Sequence, residues 1–410
     1  MNTDVTRRGA HRRLLPLQIG IALQGFMLWL PVEKLFMSEI GFDPATIGLV
    51  AGAYAVMVPL LEVPSGILAD RWSRRGVLAV ASVALAACDL IGGLSHDVTT
   101  YLLSALALGV YFAMYSGTVE AMVYDTLVEE TGTGDDFERQ LGRMRFVESM
   151  ALVVSSLAGG WVASLLSPRA TYLLTVPFAL LSIGAYLRFR EPRLHRPSEP
   201  APLAQHVATT FRTLTRQRCL LPIITLSVLA DVLLQTVFEF GPLWLVAVSA
   251  PAVLFGPYWA GLVSTHGLGG LLAGRLDFTR PATALAVGGL ITGAAAMLTV
   301  ARGVVAITAA QIVLGLLLMA ITVHVSRLLN DAVPSTVRAG VASGVSTMTW
   351  LVFLPFSLLF GAFSNALGVH SAALLIVGLA LPLTGLVALT ARRWEPAGCV
   401  QRQTSALESV

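Results

Sequence analysis

The sequence predicts an all-α integral membrane protein with twelve transmembrane helices in two pseudo-symmetric six-helix bundles. Three observations lead to this fold class. The 410 residues are 55% hydrophobic and only 12% charged, with a mean hydropathy of +0.75, whereas about a quarter of the residues of a soluble domain are charged. The apolar residues come in stretches of about 20, the length that a helix needs to cross a bilayer. Finally, the two halves of the chain repeat each other.

Twelve apolar stretches have the length and composition of a span. The first of them follows Arg7, Arg8, Arg12 and Arg13, but it is too long for the apolar core of a secretory signal peptide, so we expect it to be retained. The predicted spans are residues 14–36, 45–69, 76–95, 100–124, 144–167, 170–190, 219–245, 252–274, 282–301, 304–328, 340–364 and 369–391.

One hydrophilic, proline-containing segment, Glu191 to Arg218, divides the spans into two groups of six. The predicted organisation is therefore an N-terminal bundle at 1–190, a cytoplasmic linker at 191–218, a C-terminal bundle at 219–391 and a cytoplasmic tail at 392–410. Within the linker, the spacing of Val207, Phe211 and Leu214 predicts a short basic amphipathic helix on the membrane surface.

The distribution of basic residues predicts the orientation, because Lys and Arg in short loops stay on the cytoplasmic side. With the N-terminus inside, only Lys34, Arg169 and Arg302 of the 27 Lys and Arg residues lie outside. Both termini are therefore expected in the cytoplasm. Lys34 is the only lysine beside many arginines, a codon bias of GC-rich bacterial genomes, so we expect a multi-pass protein of the bacterial cytoplasmic membrane.

Matching residues in the two halves indicate an internal duplication. Each match is weak alone, but a shared displacement across several spans is expected when two six-helix bundles arise by duplication. At a displacement of 206, the pairs are Leu14 with Leu220, Glu33 with Glu239, Gly109 with Gly315, and Asp125 with Asp331.

The loop between spans two and three reads Gly66-Ile67-Leu68-Ala69-Asp70-Arg71-Trp72-Ser73-Arg74-Arg75-Gly76. It closely resembles the signature loop of the major facilitator superfamily and departs from it at Ser73, where Gly is usual. An ordinary basic loop would explain the arginines but not the Gly-x-Leu-Ala-Asp order. The resemblance implies a secondary transporter that works by alternating access. It also implies a conformational motif that stabilises the outward-facing state, formed by Gly66, Asp70, Arg71, Arg74 and Arg75.

Two further segments, Glu62 to Gly66 and Ser116 to Ala121, look like the corresponding segments of bacterial drug-efflux members of this superfamily. The sequence departs from proton-coupled exporters at Leu106, where an arginine is frequent, and at Gly159-Gly160, where a Gly-Pro pair is typical of antiporters. The resemblance therefore implies transport more firmly than it implies antiport.

Ionisable residues at membrane depth are candidates for proton or substrate coupling, because burying a charge there costs several kcal/mol. Asp231 lies near the middle of span seven, which lines the central cavity in this family, and is the first candidate. The alternative is a carboxylate satisfied by neighbouring hydroxyls. Asp89, at similar depth in span three, has either a functional role or a structural partner.

Four other residues are weaker coupling candidates. Glu33 and Glu239 occupy matching positions near the outer ends of spans one and seven, and form either an extracellular gate or solvated interfacial charges. His266 and His324 lie in spans eight and ten; histidine titrates near neutral pH and suits proton coupling, although a lone histidine in a helix is more often a packing residue.

A cluster of charged residues is predicted near the cytoplasmic ends of spans four and five. Structural salt bridges are favoured for it, and an inner gate is the alternative. Its members are Glu120, Asp125, Arg143, Arg145 and Glu148.

No segment resembles a nucleotide-binding loop, a metal cluster or an activated nucleophile. Cys88, Cys219 and Cys399 give neither a disulfide framework nor metal spacing. We therefore expect no catalytic residue, no metal and no cofactor, and a proton gradient as the energy source. The expected partners are a small-molecule substrate and the lipid bilayer, with no nucleic acid and a monomeric state.

These observations predict proton-coupled export of small amphipathic organic compounds, such as antibiotics or secondary metabolites. A proton-coupled importer of a nutrient or siderophore is one alternative, and a non-transporting membrane sensor on the same fold is another.

Overall fold

The computed structural model describes residues 3–115, 118–132, 137–192, 220–332 and 338–393. Within these residues every regular element is a helix. The α-helices are α1 (Thr3–Gln24), α2 (Glu33–Glu39), α3 (Pro44–Arg71), α4 (Arg74–Leu94), α5 (Val98–Tyr115), α6 (Thr118–Thr131), α7 (Phe137–Leu165), α8 (Pro168–Arg188), α9 (Leu221–Phe240), α10 (Pro242–Ala247), α11 (Ala252–Ala273), α12 (Pro281–Val300), α13 (Val304–Ala332), α14 (Arg338–Leu367) and α15 (Val369–Arg393).

The fold class predicted from the sequence is confirmed. In the described part of the chain, ten segments are long and apolar enough to cross a membrane by length and composition. The first and eighth spans complete the twelve: the first is interrupted, and α11 carries Pro257 and His266 among its apolar residues. The spans are α1 with α2, α3, α4, α5 with α6, α7, α8, α9 with α10, α11, α12, α13, α14 and α15.

The first predicted span, residues 14–36, is not one continuous helix. Helix α1 ends at Gln24, and a short 3₁₀ helix at Leu30–Val32 leads into α2. The interruption contains Gly25 and Pro31, both poor helix residues. One backbone donor of the interruption is satisfied from a neighbouring helix, because the Leu28 N–H donates to Thr175 Oγ1 at 3.1 Å.

Helix α3 begins with a capping box outside the apolar part of the span. Asp43 Oδ1 accepts the Thr46 N–H at 2.8 Å, and the Thr46 hydroxyl accepts the Asp43 N–H at 3.0 Å. This reciprocal arrangement satisfies backbone donors that a helix start leaves free. Hydrogen bonding from the Thr46 backbone stabilises the carboxylate and lowers the pKa of Asp43.

The chain divides into two compact units. The first comprises Met1–Glu199 and Ala250–Val263, and the second comprises Pro200–Ser249 and Ser264–Val410. The boundary within α11 assigns the first half of this helix to the first unit. Most of the predicted linker at 191–218, with its amphipathic helix, and nearly all of the predicted tail at 392–410 lie outside the described residues.

Polar contacts join the helices of the first unit at its centre. Gln24 Nε2 donates to Ser82 Oγ at 2.8 Å, and the Tyr186 hydroxyl donates to Gln24 Oε1 at 2.6 Å. Ser182 Oγ also donates to Ser82 Oγ at 2.7 Å. These bonds connect α1, α4 and α8. Apolar burial alone holds helices together poorly in lipid, so such bonds and close packing carry the association.

Helices α7 and α11 meet at glycines within the first unit. A Cβ atom added to Gly160 would lie 2.6 Å from the Gly256 backbone nitrogen, and one added to Gly256 would lie 2.7 Å from the Ser156 carbonyl oxygen. Glycine is therefore required at both positions for the backbones to approach this closely.

In the second unit, α9 packs against α13, α14 and α15, and α12 packs against α15. The junction between α9 and α10 is held by side chains from neighbouring helices. Gln311 Nε2 donates to the Gly241 carbonyl at 3.2 Å, and Trp244 Nε1 donates to the Leu298 carbonyl at 3.0 Å. The two bonds fix the end of α9, the helix that carries Asp231.

Candidate functional site

A cavity of about 500 Å³ lies within the second unit, between α9, α11, α13 and α14. This volume is in the range typical of small-molecule sites, about 300–1,000 Å³. Its lining combines one carboxylate, one imidazole, several hydroxyls, an amide and aromatic and aliphatic side chains. The lining residues are Ser227, Asp231, Leu234, Gln235, Phe238, His266, Thr322, Ser326, Leu329, Val345, Ser346, Thr349 and Trp350.

Asp231 is the carboxylate of this cavity, and hydroxyl groups hold it in place. Ser227 lies one helical turn earlier on α9, and its Oγ donates to Asp231 Oδ2 at 3.4 Å. Thr322 on α13 donates its Oγ1 hydrogen to Asp231 Oδ1 at 3.1 Å. Each carboxylate oxygen thus receives one hydroxyl donor. Because a carboxylate offers about four acceptor sites, capacity remains for a proton or for a donor on a substrate.

Aromatic side chains form part of the cavity wall. The ring of Phe238 lies 4.7 Å from that of His266, measured between centroids. Trp350 lines the cavity from α14, and its ring packs edge-on against Phe353 at 6.1 Å. Such rings offer apolar contact and a face that attracts a cation.

The remaining coupling candidates do not line this cavity. His324 is on α13, but its ring stacks on Phe278, with centroids 4.6 Å apart. Glu239 lies on α9, partly buried. The structure thus brings Asp231 and His266 to one cavity. His324 and Glu239 are not among the described residues that line it.

Glu33 and Lys34 lie in the first unit, at the start of α2. The Tyr101 hydroxyl donates to Glu33 Oε1 at 2.9 Å and the Lys34 ammonium contacts Glu33 Oε2 at 3.0 Å. Lys34 is only 3% exposed. The Tyr101 hydroxyl also lies 2.8 Å from that of Tyr172. Glu33 therefore belongs to a closed polar cluster and is not freely solvated.

Asp89 lies in the interior of the first unit and is fully buried. Its Oδ1 accepts the indole hydrogen of Trp29 at 2.7 Å, and its Oδ2 has no hydrogen-bond partner among the described residues. The Trp29 ring stacks on Tyr172 with centroids 5.0 Å apart. Asp89 thus ties α4 to the interruption of the first span.

In the signature loop, the structure describes the side chains of Leu68 and of the residues from Trp72 onward. The backbone of Gly66, Asp70 and Arg71 is helical, but their side chains lie outside the described set. Ser73 caps α4 by accepting the Gly76 N–H at 3.1 Å. Serine caps a helix better than most residues, which gives the departure from glycine at this position a physical role.

Glu191 connects this loop to the end of α8. Its Oε2 accepts the Ser73 hydroxyl at 2.8 Å, and its Oε1 accepts the Arg74 N–H at 2.6 Å. The Arg74 guanidinium forms an ion pair with Asp125, and Arg75 Nη1 donates to the Phe189 carbonyl at 3.3 Å. The loop is therefore anchored by two carboxylates and a main-chain carbonyl.

The predicted cytoplasmic cluster separates into distinct contacts. Arg145 contacts Glu120 at 2.9 Å and Glu148 at 3.1 Å. Asp125 instead pairs with Arg74, as described above, and Arg143 lies 3.5 Å from His11 Nδ1. Glu148 also accepts the Tyr115 hydroxyl at 2.9 Å. These contacts connect α5, α6 and α7 at one end of the first unit.

Several site residues were not identified from the sequence. Ser227 precedes Asp231 by four residues, so helical spacing alone indicates that they share a face. Thr322, Ser346 and Thr349 come from α13 and α14 and meet Asp231's cavity only through tertiary packing. No sequence signal distinguishes them from the many other hydroxyl residues of these helices.

Comparison with known proteins gives a consistent result. The family model described as Major Facilitator Superfamily matches residues 14–353. The puromycin resistance protein of Streptomyces alboniger is 26% identical over 184 residues, which cover 45% of this chain and 36% of that protein. A probable sugar efflux transporter of Pasteurella multocida is 22% identical over 211 residues, 50% of each. The chain thus matches half or less of the length of these curated relatives.

Solved structures show the same fold. A mutant form of the nucleoside transporter NupG superposes with a TM-score of 0.75 at 15% identity, over 92% of this chain and 100% of that one.

Proposed function

Because the chain belongs to the major facilitator superfamily of transporters, we propose that it exports small amphipathic organic compounds by proton-coupled alternating access. Asp231 is the proposed coupling residue, and the second-unit cavity is the proposed substrate site. The observation that carries the proposal is a carboxylate facing a cavity of small-molecule size with hydroxyl donors on both oxygens. Similarity to a puromycin resistance protein and to a sugar efflux transporter supports the outward direction.

Asp231 would alternate between two states. With the proton absent, its negative charge is stabilised by Ser227 and Thr322 and attracts a donor group of the substrate. With the proton present, the charge is gone and the substrate is released. A transporter needs such an exchange because the same site must favour substrate on one side of the membrane and proton on the other.

The energy source in this proposal is the proton gradient, without a metal or an organic cofactor. The protein would act as a monomer in the bacterial cytoplasmic membrane, with both termini in the cytoplasm. Glu33, Glu239, His266, His324 and Asp89 are secondary coupling candidates, and His266 is the one that shares the cavity with Asp231.

Efflux from energised membrane vesicles tests the proposal. In everted vesicles, pH-gradient-driven accumulation of puromycin or ethidium should be lost in Asp231→Asn, with the same amount of protein in the membrane. The matched control is Asp277→Asn, which removes an exposed loop carboxylate of the same unit that pairs with Arg280. It should transport like the wild type. Unchanged transport in Asp231→Asn would remove Asp231 from the mechanism.

A further inference from the structure

We infer that the second-unit cavity selects organic cations bearing aromatic groups, with the cationic centre at Asp231 and the rings against Trp350 and Phe238. This inference rests on the proposed function only in identifying the cavity as the transport site. Beyond that, it specifies the charge and the shape of the substrate.

The charge of the cavity lining favours a cationic ligand. Asp231 is the only carboxylate among the described lining residues, and none of those residues is Arg or Lys. Its oxygens accept hydrogen bonds from the neutral hydroxyls of Ser227 and Thr322, which orient the carboxylate without cancelling its charge. An anionic ligand would be repelled in this low-dielectric site, a neutral one would leave the charge uncompensated, and a monocation would neutralise it.

The distribution of polar and apolar groups in the lining favours a ligand whose cationic group is attached to aromatic rings. Hydroxyls concentrate on α13 and α14 at Thr322, Ser326, Ser346 and Thr349, while Phe238 and Trp350 provide aromatic surface. A cation held at the carboxylate can also contact an aromatic face, a combination that favours ammonium or phosphonium groups attached to rings. The volume of about 500 Å³ accommodates a molecule of this kind.

Equilibrium binding of two ions of the same shape and opposite charge tests the inference. Radiolabelled tetraphenylphosphonium and tetraphenylborate are offered to the purified full-length protein in the absence of any gradient. Tetraphenylphosphonium should bind saturably, and tetraphenylborate should neither bind at the site nor compete. Asp231→Asn should weaken tetraphenylphosphonium binding by more than about tenfold, Trp350→Leu by about three- to tenfold, and Asp277→Asn by less than about twofold.

A second pair of variants keeps the test decisive if Asp231→Asn does not fold. Ser346→Lys places a cation in the cavity, while Ser346→Met adds similar bulk without charge. Both variants alter the cavity wall, so they are compared with each other: tetraphenylphosphonium should bind at least about tenfold more weakly to Ser346→Lys than to Ser346→Met. Equal binding of the two ions, or wild-type affinity in a folded Asp231→Asn or Ser346→Lys variant, would overturn the inference.

The binding experiment separates this inference from the proposed function. If tetraphenylphosphonium binds through Asp231 but no pH-gradient-driven transport occurs, proton-coupled export fails and the cation site stands. If Asp231-dependent export of neutral compounds occurs without tetraphenylphosphonium binding, the cation site fails and proton-coupled export stands.

Discussion

Two carboxyl groups inside the helices have different surroundings and, we expect, different roles. Asp231 faces a cavity and receives hydroxyl donors on both oxygens. Asp89 is fully buried and accepts a hydrogen bond from the Trp29 indole. A group that exchanges protons needs a path to water or to substrate, and the cavity provides one for Asp231. Asp89 instead holds the interruption of the first span in place through its bond to Trp29.

Substitutions at the Asp89–Trp29 pair test the structural role. Asp89→Asn keeps an oxygen that accepts the indole hydrogen, so transport should persist. Trp29→Phe removes the donor and should lower the free energy of unfolding by about 1–3 kcal/mol, measured by thermal unfolding of the purified protein. Loss of efflux in a folded Asp89→Asn variant would instead assign Asp89 to coupling.

At the residue scale, the sequence predicted part of the site. Counting helical rise from the cytoplasmic boundary places Asp231 near the bilayer centre, and a charge there is unusual enough to identify the residue. His324 is a candidate because it lies in span ten and histidine titrates near neutral pH, but its ring stacks on Phe278 and does not line the cavity. Depth follows from position along a helix, but the direction of a side chain depends on how neighbouring helices pack.

At the scale of elements, the crossing of α7 and α11 depends on glycine. Span five has Gly159-Gly160 where antiporters of the family typically carry a Gly-Pro pair. A Cβ at Gly159 would lie 2.0 Å from the Leu28 carbonyl oxygen, and one at Gly160 would approach the backbone of Gly256. The absence of proline therefore coincides with close packing against two other backbone segments.

Adding one methyl group at this crossing should destabilise the first unit. Gly160→Ala forces the backbones apart and should cost about 1–3 kcal/mol, the usual effect of overpacking. The control is Gly184→Ala on α8, where a Cβ would meet nothing within 4 Å. Thermal unfolding should show a lower midpoint for Gly160→Ala alone; equal midpoints for the two variants would contradict the tight crossing.

The interruption of the first span was not predictable from periodicity. Residues 14–36 are apolar enough to form a continuous helix, and a glycine and a proline do not by themselves end one in a membrane. Thr175 on α8 and Asp89 on α4 supply the partners that make the break stable. Partners this distant in sequence become visible only in the folded chain.

At the scale of the whole molecule, composition and hydropathy predicted the fold class well. Hydropathy gave the number of spans because lipid requires each crossing segment to be apolar. The signature loop identified the family without a structure. Substrate and coupling are harder to predict, because they depend on which side chains face one cavity and not on the pattern of spans.

The orientation predicted from the basic residues can be measured by cysteine labelling. Thr99 is an exposed residue at the start of α5 and should lie outside the cell. Ser405, in the C-terminal tail, should lie in the cytoplasm. Thr99→Cys should react with a membrane-impermeant maleimide in intact cells, whereas Ser405→Cys should react only after permeabilisation. The wild type corrects for labelling of Cys88, Cys219 and Cys399. The reverse pattern would invert the topology.

The central claim is that proton movement and substrate movement are coupled at Asp231. The most direct measurement uses purified protein in liposomes that contain a pH-sensitive dye, with puromycin or tetraphenylphosphonium added outside and no imposed gradient. The account predicts substrate-induced proton flux in the wild type and in Asp277→Asn, and none in Asp231→Asn. Substrate transport without proton flux in the wild type, or equal proton flux in Asp231→Asn, would contradict it.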